Sequence, residues 1–348
     1  MDAAESDNMI TGLILIFLLV LFLPLLLQVV ERNLEVFLFL IGLLAASISG
    51  LMSRSLFVKA SQEPIKIALA VFVAGLLFKW LKKPLERGIM GLSRRMPFRL
   101  FMGLSVFILG LVSSIITAII AALILVLIVQ ALRLERKFEV RFVVLSCFSI
   151  GLGAALTPIG EPLSTIAVSK LGKGFFYLIE LIGPEVITAI FLFSVLAALM
   201  VRRPTFRDRS EFKDEEKESY EDILVRALKI YFFVMGLEFL GQGFEPLINQ
   251  FFLGLEPALL YWLNMISAVL DNATLTATEI SHSMGPVTLK AILLGLLISG
   301  GMLIPGNIPN IISAGKLKIR SGEWARFGVP LGLIVMLIFY FSLFETGL

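Results

Sequence analysis

Two carboxylates stand inside long uncharged runs, and both are flanked by neutral oxygen donors. Asp271 lies in SAVLDNATLTATE (Ser267–Glu279), followed by Asn272, Thr274, Thr276 and Thr278. Glu161 lies in TPIGEPLST (Thr157–Thr165), directly after a glycine and before a proline. A charged side chain at the centre of a bilayer costs at least ~3 kcal/mol on insertion scales, so acids at that depth mark ion or proton pathways. Asp271 would also serve as an N-cap, but capping alone does not require a charge there. The chemistry such a set supports is exchange. A carboxylate holds either a proton or a small cation, and the amide and hydroxyl oxygens supply the hard donors an alkali cation accepts.

Other polar residues carry less. Glu279 and His282 are one helical turn apart and are candidates for a proton relay, but both are expected near the membrane face, on solvated surface. Glu180, Glu185 and Glu238 lie in or beside apolar stretches, and Pro184 before Glu185 reads as a helix start with an acid in its first turn. The core segments are read as free of Arg and Lys. Enzyme chemistry finds no footing: there is no HExxH, no GxSxG elbow, and His282 and Cys147 are the only His and Cys. No enzyme activity, cofactor or metal beyond a transported cation is therefore expected. An internal disulfide is impossible, and no charged tail points to nucleic acid.

These residues must be positioned by membrane helices. Of 348 residues, 58% are hydrophobic and 16% charged, with a mean hydropathy of +0.94; soluble chains sit near half and about a quarter. Apolar segments run from Gly12–Val30, Leu34–Leu51, Ile65–Leu81, Leu100–Leu132, Phe142–Leu171, Phe175–Val201, Ile223–Gly241, Ala258–Met284, Thr288–Ala314 and Phe327–Phe344. The first is preceded by the acidic MDAAESDN and no cleavage site follows, so a retained span is expected rather than a signal peptide. The fold class is an all-α polytopic membrane protein.

Leu100–Leu132 holds no charge and would be roughly 50 Å long as one helix. Lys82, Lys83, Arg87, Arg94, Arg95 and Arg99 precede it, and Arg133, Arg136, Lys137 and Arg141 follow. The positive-inside rule places both flanks in the cytoplasm, so the segment is expected to enter and return as a re-entrant hairpin breaking near its Ser-Ser and Thr. The same bias puts the amino terminus outside and the charged 202–222 stretch inside. It makes Ala258–Met284 a second hairpin, entering from outside. The expected organisation is amino-terminal spans (1–63), a first repeat (64–201, hairpin 100–132, interrupted span 142–171), a cytoplasmic loop (202–222) and a second repeat of opposite orientation (223–348, hairpin 258–284, interrupted span 288–314).

The two halves correspond at their interruptions. TPIGEPLST aligns with LIPGNIPNI (Leu303–Ile311), placing Gly160 on Gly306 and Glu161 on Asn307. Pro158, Gly160 and Pro162, like Pro305, Gly306 and Pro309, cannot all sit in an unbroken helix. Unwound backbone at membrane depth is tolerated where it is buried in protein or lines a cavity. A matched pair of broken helices in inverted halves points to a transporter's midplane site.

SAVLDNATLTATE and GAALTPIGEPLST (Gly153–Thr165) together resemble the paired signatures of the ion transporter superfamily. They are most similar to those of the NhaD-type sodium/proton antiporters, S-A-x-x-D-N-x-P-L and G-G-x-x-x-P-I-G-D. Arsenite and dicarboxylate carriers are more distant relatives. The resemblance covers about residues 100–317. It implies a fold with two re-entrant hairpins and two interrupted helices, moving as an elevator, and an ion site formed by Asp271, Asn272, Glu161, Thr157, Thr117, Asn307, Asn310, Thr274 and Ser164. Three positions depart from the pattern: Thr117-Ala118 replaces an Asp-Asn pair at the first tip, Glu161 replaces Asp, and Thr274 replaces Pro. The expected activity is sodium or lithium/proton antiport, with a sodium-coupled anion carrier as the alternative. The expected setting is multi-pass in the plasma membrane, as a homodimer, with lipid and the transported cation as partners.

Overall fold

The computed structural model describes residues 3–27, 29–30, 33–202, 219–251, 255–270, 272–280 and 284–345. Among these the chain is all α-helix, with two short 3-10 turns and no strand. Three helices, Phe98–Ile116, Tyr177–Met200 and Ser321–Phe344, are long and apolar enough to cross a membrane. Large apolar side chains such as Leu15, Phe191, Leu199, Ile334 and Phe341 face outward while an apolar core packs behind them. This is the pattern of a membrane-embedded protein, whose surround is as apolar as its interior.

One layer comprises α1 (Ala3–Leu26), α2 (Leu34–Ile48), α3 (Arg54–Arg95), α9 (Tyr220–Gly243) and α10 (Glu245–Phe251). The 42-residue α3 was not expected. It carries the basic Lys82–Arg95 stretch in helical form, and the expected boundary at 63/64 falls inside it. Pro64 and Pro84 are both accommodated within the helix. Helices α2 and α9 run parallel, and glycines let their backbones meet: a Cβ on Gly236 would lie 2.6 Å from Phe39 N, and one on Gly243 would lie 2.7 Å from Ala45 C. Against α3, α9 is antiparallel. Lys59 pairs with Glu238 at 3.7 Å, and at the other end Lys79 lies over the Tyr220 ring at 3.5 Å.

The second layer holds the candidate site. Its first half is α4 (Phe98–Ile116), α5 (Ala118–Leu132), α6 (Arg136–Ala154), α7 (Pro162–Leu171) and α8 (Tyr177–Met200). The second half is α11 (Pro257–Leu263), α12 (Asn272–Glu279), α13 (Pro286–Gly300), α14 (Ile308–Leu317) and α15 (Ser321–Phe344). The charge-free stretch breaks at Thr117, which adopts φ +77°, a conformation costly for a residue with a Cβ. Helix α6 stops at Ala154, and α7 begins only at Pro162, whose fixed φ suits a first helical position.

Helices α4 and α6 run parallel. The Ser149 hydroxyl donates to Val106 O (3.0 Å), and the Ser113 hydroxyl donates to Ile150 O (2.9 Å). Helix α8 returns antiparallel to α4, with Ser194 donating to Gly103 O at 2.8 Å, so Arg99 and Arg202 line one groove. Arg136 closes the same face. Its guanidinium donates to Leu317 O (3.0 Å), Lys318 O (2.6 Å), Glu139 (2.7 Å) and Glu323 (2.7 and 2.9 Å). The end of α14 therefore lies at the start of α6. At the opposite face Glu185 of α8 meets Lys290 near the start of α13.

Arg136→Ala should destabilise the fold by about 1–2 kcal/mol, discounted because the side chain is partly exposed. Lys should rescue little, because it lacks the planar fork. Thermal melts of the purified protein in detergent check this.

The described part of the 258–284 stretch is built from short elements. It consists of the seven-residue α11, a 3-10 turn Asn264–Ala268 and the eight-residue α12, because Asn264 and Ser267 turn the chain by bonding to α13. Of the 202–222 loop, residues 203–218 lie outside the described residues.

Candidate functional site

The site grows from two backbone breaks of matching form. Glu161 has φ −154° and ψ 161°; Asn307 has φ −155° and ψ 147°. Each is the N-cap of a ten-residue half-helix that ends in a left-handed residue, Gly172 (φ 60°) and Lys318 (φ 52°). These positions, like the helix ends Ala154 and Gly300, lie 146 residues apart. Gly160 approaches Ala154 O so closely that a Cβ would overlap it, and a Cβ on Gly306 would lie 2.5 Å from Gly300 O.

Each break is braced by a polar side chain from its own half-helix. Ser164 donates to Ala155 O at 3.0 Å. Asn310 donates to Gly300 O at 2.8 Å and Leu303 O at 2.9 Å. Both are fully buried, as unwound carbonyls away from water need donors.

Each break also meets a second chain reversal of its own half. The Thr157 hydroxyl donates to Ser114 O, and Ala118 N donates to Gly160 O at 3.0 Å. Thr117 itself caps α5, accepting from Ile120 N at 3.5 Å. In the second half Gly306 lies against Ser267 O and Ala268 O, and Gly300 against the Asn272 amide. The Ser113 bond to Ile150 O has a counterpart in Ser267, which donates to Leu296 O at 3.0 Å. Ser267 also hydrogen-bonds Asn272 Oδ1.

The halves interlock across the centre. A Cβ on Gly151 of α6 would lie 2.6 Å from Asn307 Nδ2, and Cys147 contacts Pro309 O and Ser313. Helix α14 packs on α5, and α12 packs on α7, so each half-helix leans on the arm of the other half.

Glu161, Asn272 and Asn307 are each less than a tenth exposed, and Thr157, Ser164 and Asn310 are buried with them. The structure thus brings six of the nine expected ion-binding residues to four neighbouring chain reversals, with Thr117 half-buried at the first. Asp271 and His282 lie outside the described residues, as does the side chain of Thr274. Among the described residues the arrangement offers one carboxylate, several amide and hydroxyl oxygens, and two half-helix amino ends. Oxygen donors of this kind suit a hard monovalent cation or a proton. Among the described residues no cluster of His, Cys, Asp and Glu has the make-up of a metal centre.

A family profile described as "Protein of unknown function (DUF1646)" matches residues 10–345, nearly the whole chain. The chain belongs to the DUF1646 family. No curated protein matches it in sequence. In this DUF1646 protein three sequence readings change. Glu279 is not at solvated surface: it is 3% exposed. Glu185 does not begin a helix, since Pro184 sits inside α8. It pairs instead with Lys290 at 2.6 Å, the two side chains 15% and 24% exposed. The apolar segment 288–314 therefore does carry a lysine, partly buried near one face. Sequence reasoning also passed over Asn264, fully buried beside Gly295. Its only signal was a lone amide in the apolar run Tyr261–Ile266.

Proposed function

We propose that this DUF1646 protein is a secondary active cation transporter, a sodium or lithium/proton antiporter of inverted-repeat construction. The observation that carries the reading is the equivalence of the breaks at Glu161 and Asn307, with matching backbone angles and a chain reversal braced against each. Broken helices in corresponding positions of two halves are how many transporters build a midplane site. The opposite orientation of the halves is supported by Arg136 tying the end of α14 to the start of α6 at one face, and by Glu185 tying α8 to the start of α13 at the other. The parallel run of α4 and α6, with the short 133–135 link returning α5 to α6, supports a re-entrant hairpin at 98–132. The 264–279 stretch plays the same part from the other face.

In this reading Asp271, Glu161 and the surrounding oxygens hold sodium and protons competitively. An inward proton gradient protonates the acids and releases the cation outward. The α4–α8 and α11–α15 layer is the moving element, the α1–α3, α9 and α10 layer the scaffold of an elevator and the contact surface of a homodimer. The protein is multi-pass in the plasma membrane with its amino terminus outside.

The alternative, a sodium-coupled carrier of dicarboxylates or oxyanions, draws on one observation: the amino ends of α7 and α14 both open onto the site, where helix termini favour anions. Proteoliposomes given sodium, lithium, potassium, citrate or arsenite in turn separate the two. Antiport predicts proton flux on adding sodium or lithium alone. Sodium-dependent uptake of an anion instead establishes the second reading.

The topology has its own test. Cysteines placed at Arg99 and Arg133 should both react with an impermeant thiol reagent from the cytoplasmic face. Labelling from opposite faces would remove the hairpin, and the repeat with it.

A further inference from the structure

We propose a second monovalent-cation site inside the second hairpin, formed by Glu279, Thr276 and Asn264 and separate from the site at the helix breaks. Thr276 and Glu279 are three residues apart on α12 and so share one helix face. They are 0% and 3% exposed, and Asn264, at the end of α11, is 0% exposed. Asn264 lies directly against the Glu279 carboxylate.

What distinguishes this cluster is an excess of acceptors. Both Glu279 oxygens, Thr276 Oγ1 and Asn264 Oδ1 are buried, and the group facing the Glu279 carboxylate is the neutral Asn264 side chain. The Asn264 amide nitrogen is directed to Ile292 O at 3.5 Å, which leaves Oδ1 as the free pole. The nearby ammonium of Lys170, from α7, bonds to Ile280 O at 3.3 Å. Farther off, Lys290 is committed to Glu185. A buried carboxylate faced by a neutral amide, with no cationic side chain against it, does not persist as an anion; it takes a proton or a cation.

The donor set selects the ligand. One carboxylate balances one positive charge, whereas calcium or magnesium sites draw on more oxygens and usually more carboxylates. Transition metals favour nitrogen and sulfur, which the three residues lack. Sodium or lithium fits. The position is also distinct, because Glu279 is seven residues along α12 from Asn272, or roughly 10 Å from the hairpin tip. It stands toward the face where α13 begins, between that face and the central site. The inference deepens the transport reading and rests on it for a role: a staging post where cation and proton exchange before reaching the breaks.

Equilibrium binding of radioactive sodium to the purified full-length protein in detergent tests it. The wild type should saturate with two sodium ions per chain and Glu279→Gln with one. Thr276→Val should weaken the second ion about tenfold, as loss of one neutral ligand worth about 1.4 kcal/mol. Glu161→Gln should keep the Glu279 ion. A wild type that saturates with a single ion, with Glu279→Gln unchanged, overturns this site and leaves the transport reading standing. A wild type that binds no sodium at neutral or alkaline pH overturns both. Should Glu279→Gln fail to fold, the wild-type stoichiometry and Thr276→Val decide alone.

Discussion

Replacing Glu161 with Gln is expected to bring sodium-driven proton movement in proteoliposomes down to the rate of empty liposomes, with the protein still folded. The amide keeps the size of the side chain and part of its hydrogen bonding, but it neither balances a cation nor exchanges a proton. Glu161 is buried at the N-cap of α7, where the backbone is already unwound and stabilised by Ser164 and Thr157. Those braces persist in the variant, so retention of the wild-type elution profile and helicity is part of the expected result. Asp271→Asn should have the same effect.

The wild type supplies a second handle. When a proton and sodium compete for one carboxylate, the sodium concentration giving half-maximal flux falls as pH rises, until protons become too scarce to drive the return step. Bound sodium should in turn displace protons into the medium, since each ligand opposes the other by the same factor. A Glu161→Gln protein with wild-type coupling would make the carboxylate-exchange mechanism untenable.

Much of the architecture was legible because a bilayer narrows what a sequence can mean. The break in the charge-free stretch falls at Thr117, within the Ser-Ser-Ile-Ile-Thr run expected to turn. The clustered Pro and Gly of 158–162 and 305–309 marked where two helices stop, because such a cluster cannot all sit in an unbroken helix. The length of α3 was not legible: Lys82–Arg95 is polar, but polarity ends an apolar span without ending a helix.

Residues whose meaning depends on a distant partner were lost as well. Glu185 looked like a helix start because Pro184 precedes it, and nothing local reveals that Lys290, over a hundred residues away, would meet it at 2.6 Å. Glu279 was placed by counting residues from the tip. That count gives depth along the arm but not which face of α12 turns inward, and the buried face is the one carrying Thr276 and Glu279.

Alanine at Gly160 should be among the most damaging of all conservative changes. A Cβ there would overlap Ala154 O, the last carbonyl of α6, and the neighbouring atoms are backbone rather than flexible side chain. Backbone cannot swing aside, so the 155–161 loop must move, and with it the Gly160 carbonyl that accepts from Ala118 N at the first tip. Forcing one methyl into packed surroundings costs about 1–3 kcal/mol, occasionally more. Gly306→Ala meets the same obstacle, since its Cβ would lie 2.5 Å from Gly300 O, 2.8 Å from Ser267 O and 3.0 Å from Ala268 O.

Both variants should lose stability by about 2 kcal/mol and lose cation-driven flux, because each displaces a break from its tip. Gly315→Ala supplies the control. It lies on α14 with nothing within 4 Å of the new methyl, and Ala is the better helix former by roughly 0.5–1 kcal/mol, so its stability should be unchanged or slightly raised. The measurement is a thermal melt in detergent paired with flux in proteoliposomes for all three variants. If Gly160→Ala melts and transports like Gly315→Ala, the close approach of break and tip is not what holds the site together.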